Sequence, residues 1–140
     1  MADASYDEFR NAILGAPTHS VPDLNTDNFR IGLRDEGVTA INLATQIDLA
    51  DVVTAHVAES SNLASLTVGV VAVGVFDHAD VTFTAVTGAS VESLDYFKET
   101  GTDSTSPLLW NIDSATGLPV TPNGGNITWA PHASGVYRQN

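Results

Sequence analysis

The chain has 140 residues, enough for one domain with a core that needs no covalent staples. Seventeen Asp and Glu stand against five Lys and Arg, a formal net charge of −12; no basic stripe exists to neutralise a phosphate backbone, which argues against nucleic acid and anionic membranes as partners. There is no Cys, which excludes disulfides and thiolate metal sites.

No apolar run approaches the roughly 18 residues of a membrane helix. The first ten residues, MADASYDEFR, are acidic where a secretory signal is basic, so export by that route is not expected.

Residues 1–27 read as an N-terminal arm, distinct from a β-domain over 28–140. Within the arm, Ser5 is placed to cap a short helix, with Glu8 at the capping-box position. Tyr6, Phe9, Ile13 and Leu14 would share one face, and Gly15-Ala16-Pro17 would end the helix. A helix of about ten residues is marginal alone, so this face must lie on something: its own domain or a neighbouring protein. Thr18 to Asn28, with Val21 and Leu24, reads as extended and irregular.

FRIGLR, Phe29 to Arg34, alternates apolar and polar residues as a half-buried strand does. Asp35-Glu36-Gly37 turns the chain. Thr45 to Val53 has partly helical spacing and predicts a short helix, and Thr54 to Ser60 another strand. Leu66 to Phe76, LTVGVVAVGVF, is β-branched and almost wholly apolar; it predicts a central strand, with a bulge at Gly69 or Gly74. Asp77 to Asp80 turns, and Val81 to Val86 alternates again. Ser93 to Trp129 then supplies three strands: Leu94 to Lys98, Pro107 to Asp113, and Ile127 to Trp129. A polar run and a dense Gly, Pro and Asn-Gly stretch separate them. Gly135 to Arg138 is the last strand. Seven to nine strands, with turns about every ten residues, predict an all-β fold. The expected form is an antiparallel β-sandwich, jelly-roll or Ig-like, with a short N-terminal helix or extended arm.

Little points to bond-making chemistry. Asp77-His78-x-Asp80 is the best candidate for a cation or proton site. Residues so spaced in a turn rarely converge without further ligands; the simpler reading has Asp77 starting the turn, Asp80 capping it and His78 in solvent. His19, His56 and His132 are scattered, and no Gly-x-Ser-x-Gly elbow marks a nucleophile. Asp103, Asp113 and the loop 114–125 carry oxygens suited to Ca²⁺, but without EF-hand spacing. No catalytic residue, metal or cofactor is expected. Trp110 and Trp129 read either as core or as partly exposed at a subunit contact.

Three phrases carry a resemblance: GVFDHADVTFTAV (Gly74 to Val86), YFKETG with STSPLL (Tyr96 to Gly101, Ser104 to Leu109), and IDSATGLPVTPNGGNITW (Ile112 to Trp129). In this order they resemble phrases of small virion structural proteins of tailed bacteriophages, the last two following the type "YKDTG…TSxLIxYIDTATGLPVTPNGGDITxxW". The likeness covers about residues 28 to 138. It departs at both ends: Met1 to Asn28 precedes the first strand, and WAPHASGVYRQN replaces an ending of the type "WDNGANKIF". The resemblance implies a non-enzymatic structural protein made in the host cytoplasm and located on the virion. Two roles stay open: a decoration or cement protein on the major capsid protein, or a tail, neck or fibre part. A homo-oligomer is expected, a trimer being one arrangement. Under this reading Tyr6, Phe9, Ile13, Leu14, Val21, Leu24, Trp110 and Trp129 are the candidate capsid or subunit contacts. A host-surface carbohydrate-binding module is a further alternative.

Overall fold

The computed structural model describes residues 3–138; the outermost residues of both expected segments, 1–2 and 139–140, lie outside the described residues. The elements in order are β1 (Ala4–Ser5), α1 (Asp7–Ile13), β2 (Phe29–Arg34), β3 (His56–Glu59), β4 (Thr67–Val68), β5 (Val75–Asp77), β6 (Val81–Phe83), β7 (Ser93–Lys98), β8 (Leu108–Ile112), β9 (Ile127–Trp129) and β10 (Tyr137–Arg138). The fold is all-β and antiparallel, with one short helix. The main sheet has the order β1-β8-β7-β2-β3; smaller sheets pair β10-β5-β4 and β6-β9.

Side-chain alternation on β2 and β7 sets the two faces of the main sheet. Phe29, Ile31 and Leu33 of β2, with Leu94 and Tyr96 of β7, enter the main core. There they meet Phe76 and Phe83 from the small sheets, flanked by Ile127, Trp129 and Tyr137. Across from β7, strand β8 carries a bulge. Tyr96 faces Trp110 but Phe97 faces Leu108, leaving Leu109 as the extra residue. Leu109 and Trp110 therefore both enter the main core, while Leu108 turns to the opposite face. There Phe97 and Leu108 pack with Tyr6, Leu49 and Val52 into a second, smaller core. β7 is buried on both sides, which is why SLDYFK lacks the clean alternation of an exposed strand.

Several expected elements take another form. Leu66 to Phe76 is not a central strand but a hairpin: β4 and β5 pair Thr67 with Asp77 and Val68 with Phe76. Gly69 and Gly74, both at φ +74°, bend the backbone where L side chains rarely follow, and so break the run in two. Thr45 to Val53 forms no α-helix; two 3₁₀ turns, Leu49–Asp51 and Val53–Ala55, replace it. Asp48 caps the first of them by accepting from the Ala50 N–H. Ser5 does not cap α1, because it is already committed to β1; Tyr6 holds the cap position without a side-chain bond. Glu8 instead reaches forward, accepting the Thr18 and His19 N–H groups at 2.6 and 3.1 Å.

Residues 3–13 of the expected arm lie on their own domain. β1 pairs with β8, and Phe9 meets the rings of Trp110 and Tyr137 edge-on, each at 5.5 Å.

Candidate functional site

Charged groups gather on the face of the main sheet away from the main core. Asp95, in the middle of β7, is wholly buried and accepts four hydrogen bonds. Oδ1 takes Tyr6 O–H at 2.6 Å and Asn111 Nδ2 at 2.8 Å; Oδ2 takes Arg34 at 2.9 Å and His56 Nε2 at 3.2 Å. Four separate segments thus converge on one carboxylate. Arg34 is equally engaged: besides Asp95 it donates to Tyr6 O–H, to the Thr39 and Ala40 carbonyls and to Gln46 Oε1. Its guanidinium thereby holds down the loop that covers this face. His56 completes the set, with Nδ1 on Glu59 at 2.9 Å. Each imidazole nitrogen faces a carboxylate, so both carry protons. Two cations and two anions then balance.

Gly32 makes room for this. A Cβ there would overlap the His56 ring, so only glycine lets the imidazole lie flat on β2. Burial would lower the His56 pKa, but hydrogen bonds from its ring to Asp95 and Glu59 outweigh that and raise it. Burial raises Asp95 in turn, yet the His56 bond and the Arg34 charge prevail and hold it below the usual carboxylate value. Tyr6 is raised, by burial first and then by Asp95.

A second chain of hydrogen bonds crosses the main core. Trp129 Nε1 donates to Tyr96 O–H at 2.6 Å, and Tyr96 faces His78 Nε2 at 2.9 Å. His78 Nδ1 faces the Ala79 carbonyl at 2.7 Å and so carries the proton, which leaves Nε2 to accept from Tyr96. His78 is therefore not in solvent, as the turn reading had it. Burial lowers its pKa, only partly offset by the Ala79 carbonyl and by Asp77 and Asp80. Among the described residues, no three His, Asp or Glu side chains converge to hold a metal ion.

Arg34, Asp95 and the His56 ring are buried, while Glu59 at the edge of the first network and Trp129 at the end of the second reach solvent. What the molecule presents outward differs. The tip of the β4–β5 hairpin reads VGVVAVG, without one polar side chain, and stands in solvent: Val70 is 76%, Val71 42% and Val73 90% exposed. On an acidic protein such a cluster is an unusual surface. Elsewhere a groove of about 520 Å³ runs past Trp129, with Asp3, Ser114, Thr116, Thr128 and His132 on its walls.

The structure separates the expected contact residues into three groups. Tyr6, Phe9 and Trp110 are buried within their own domain, Tyr6 in the second core and Phe9 against Trp110 of β8 in the main core. Ile13, Leu24 and Trp129 are half-buried against the main core. Leu14, just past the end of α1, is 81% exposed, and Val21 is 51% exposed on the connection that follows. The valine tip is hidden in the sequence because an uninterrupted apolar run reads as buried strand; its two glycines, spaced five apart, are the signal for a hairpin.

Comparison with protein-family models gave no match to this chain, and comparison with curated proteins gave none either.

Proposed function

We propose that this chain is a structural protein of a tailed-phage virion, a decoration protein that binds the outer capsid shell and stabilises it. The exposed valine tip carries this reading. It joins four valines and an alanine on a hairpin fixed by the Gly69 N–H to Val75 carbonyl bond at 2.8 Å. A short apolar peg on a stiff β body suits insertion into a pocket of another protein. The net charge of −12 favours a shell's outer surface over its DNA-facing interior, because like charges repel. Many copies, each burying a modest area, reinforce an assembly collectively. The resemblance of the three phrases to tailed-phage virion proteins supports the same reading.

The test is co-sedimentation with capsids purified without this protein. Val70→Asp together with Val73→Asp, at exposed positions, should leave the fold intact and reduce bound protein at least tenfold. Undiminished binding by this variant would remove the tip from the contact. The tail, neck or fibre role would use the same peg, and copy number per virion separates the two, being high for a shell decorator and low for a neck or fibre part. The groove beside Trp129 favours a second reading, a host-surface glycan site, since a half-buried indole flanked by hydroxyls suits a neutral sugar. Sugar binding abolished by Thr116→Ala would support it.

A further inference from the structure

We propose that the N-terminal segment is an exchangeable arm: β1 and α1 of one copy take, on a second copy of this chain, the slot that they fill on their own domain. The product is a closed two-fold dimer in which each main sheet receives its partner's β1 and each Asp95 its partner's Tyr6.

The slot belongs entirely to the body of the domain. Asp3 accepts the Asp113 and Ser114 N–H groups, both at 3.1 Å, and Ser114 O–H at 2.7 Å. Ala4 and Ser5 pair with Asn111 and Trp110. The Tyr6 N–H meets the Leu109 carbonyl at 3.0 Å, and its hydroxyl enters the Asp95–Arg34 pair. Phe9 lies on Trp110 and Tyr137. None of these partners lies on the connection between α1 and β2, so an arm arriving from another copy makes the same bonds.

That connection can carry the arm across. Residues 14–28 hold no helix or strand and most of their side chains are exposed; Pro22 is buried, Leu24 packs on the main core and Asp23 to Asp27 form a hydrogen-bonded turn. Glu8 ties Thr18 and His19 to the helix, so the moving unit is 3–19 and the hinge 20–28. His19 travels with it and remakes its bond to the Ser104 carbonyl on the second copy. Extended, nine residues span about 30 Å, close to twice the radius of gyration of about 14 Å expected for a chain of this length. Extending the hinge releases the Lys98–Ser20 bond, the Asp23–Asp27 turn and the packing of Pro22 and Leu24, while Lys98 can keep its ion pair with Asp27 at the β2 end.

Concentration decides the balance. Own-domain and exchanged states share the contacts of residues 3–19 and differ at the hinge, whose turn and packing favour the own-domain state, and a short flexible tether gives its own arm an effective concentration of about a millimolar. Dilute chains keep their arms; chains crowded to millimolar density exchange them. Repulsion between two chains of −12 makes exchange stronger at high salt.

The chain has no cysteine, which allows a clean test. One preparation carries Asp3→Cys and another Ser114→Cys. They are mixed reduced at about a millimolar in high salt, equilibrated warm, oxidised, and run on a non-reducing gel. A disulfide-linked heterodimer is expected, at least tenfold above the level from a Thr102→Cys partner and from the same mixture at micromolar concentration. The double variant, closing within one chain, shows that the pair can bond. No heterodimer above the control while the double variant closes overturns the proposal. Light scattering on the unsubstituted chain is the independent reading: a monomer mass at millimolar concentration overturns it however the cysteines behave.

Discussion

Asp95 and Gly32 sit opposite each other in the β2–β7 register, and between them they determine what the covered face can hold. Asp95 joins Tyr6, Arg34, His56 and Asn111, so removing its carboxylate strands a buried guanidinium. Asp95→Ala should lower stability by about 3–5 kcal/mol, since breaking one side of a buried ion pair leaves the other uncompensated. Tyr6→Phe keeps the ring and deletes one bond to a charged acceptor; about 1.5–3 kcal/mol is expected. Gly32→Ala drives a methyl into the His56 ring and should lose about 1–3 kcal/mol by overpacking. Urea denaturation of the three variants checks this order. A loss below about 0.5 kcal/mol at Gly32 would mean that the imidazole does not rest on β2. None of these residues announces its role in the sequence. Arg34 reads as the outward residue of an alternating strand and Gly32 as a strand-weakening residue. Only pairing with β7 shows both facing a buried carboxylate.

At the scale of the element, the two apolar stretches that draw the eye exchange roles. SLDYFK, with three polar residues in six, is the central strand and is buried on both faces. LTVGVVAVGVF, almost without polarity, is a hairpin of a small sheet whose tip is exposed while Val75 and Phe76 are buried. The reason is hydrogen-bonding capacity. Ser93 and Asp95 bury their polar groups because donors from neighbouring elements meet them there. The valine run has no such constraint, but two glycines at positive φ fold it back before it can cross the sheet. The tip's valines make no core, so Val70→Asp with Val73→Asp should change stability by no more than about 1 kcal/mol. Thermal unfolding measures this separately from any binding assay; a larger loss would assign the tip a packing role.

For the molecule as a whole, the two buried histidines set opposite limbs of the pH profile. The folded-state pKa of His56 is raised, so its contribution is complete below the ordinary value of 6.5 and is lost as pH rises through the raised one. The pKa of His78 is lowered; its contribution is complete above 6.5 and is lost as pH falls through the depressed value. Asp95, also lowered, loses its share only as pH falls below 3.8 and through its own depressed value. His56→Gln should therefore flatten the decline of stability on the alkaline side of 6.5, and His78→Gln the decline on the acid side. Denaturation midpoints across that range decide it: an unchanged alkaline limb in His56→Gln means that the ring is not charged in the fold. Net charge acts over the same scale. With a surface of −12, screening relieves self-repulsion, and Tm should rise from about 0.05 to 0.5 M salt.

The all-β class, the short helix after the first residues and most strand positions are legible along the chain, because alternation and turn residues are local properties. So are the acidity and the lack of thiol chemistry, which are sums over composition. Which residues lie together was settled only in three dimensions: residues 3–13 rest on their own domain, Asp95 gathers donors from four segments, and the tip of the most apolar run faces water. Each of these depends on which strands become neighbours across the sheet, a choice made by the simultaneous satisfaction of buried charges and bulky side chains far apart along the chain.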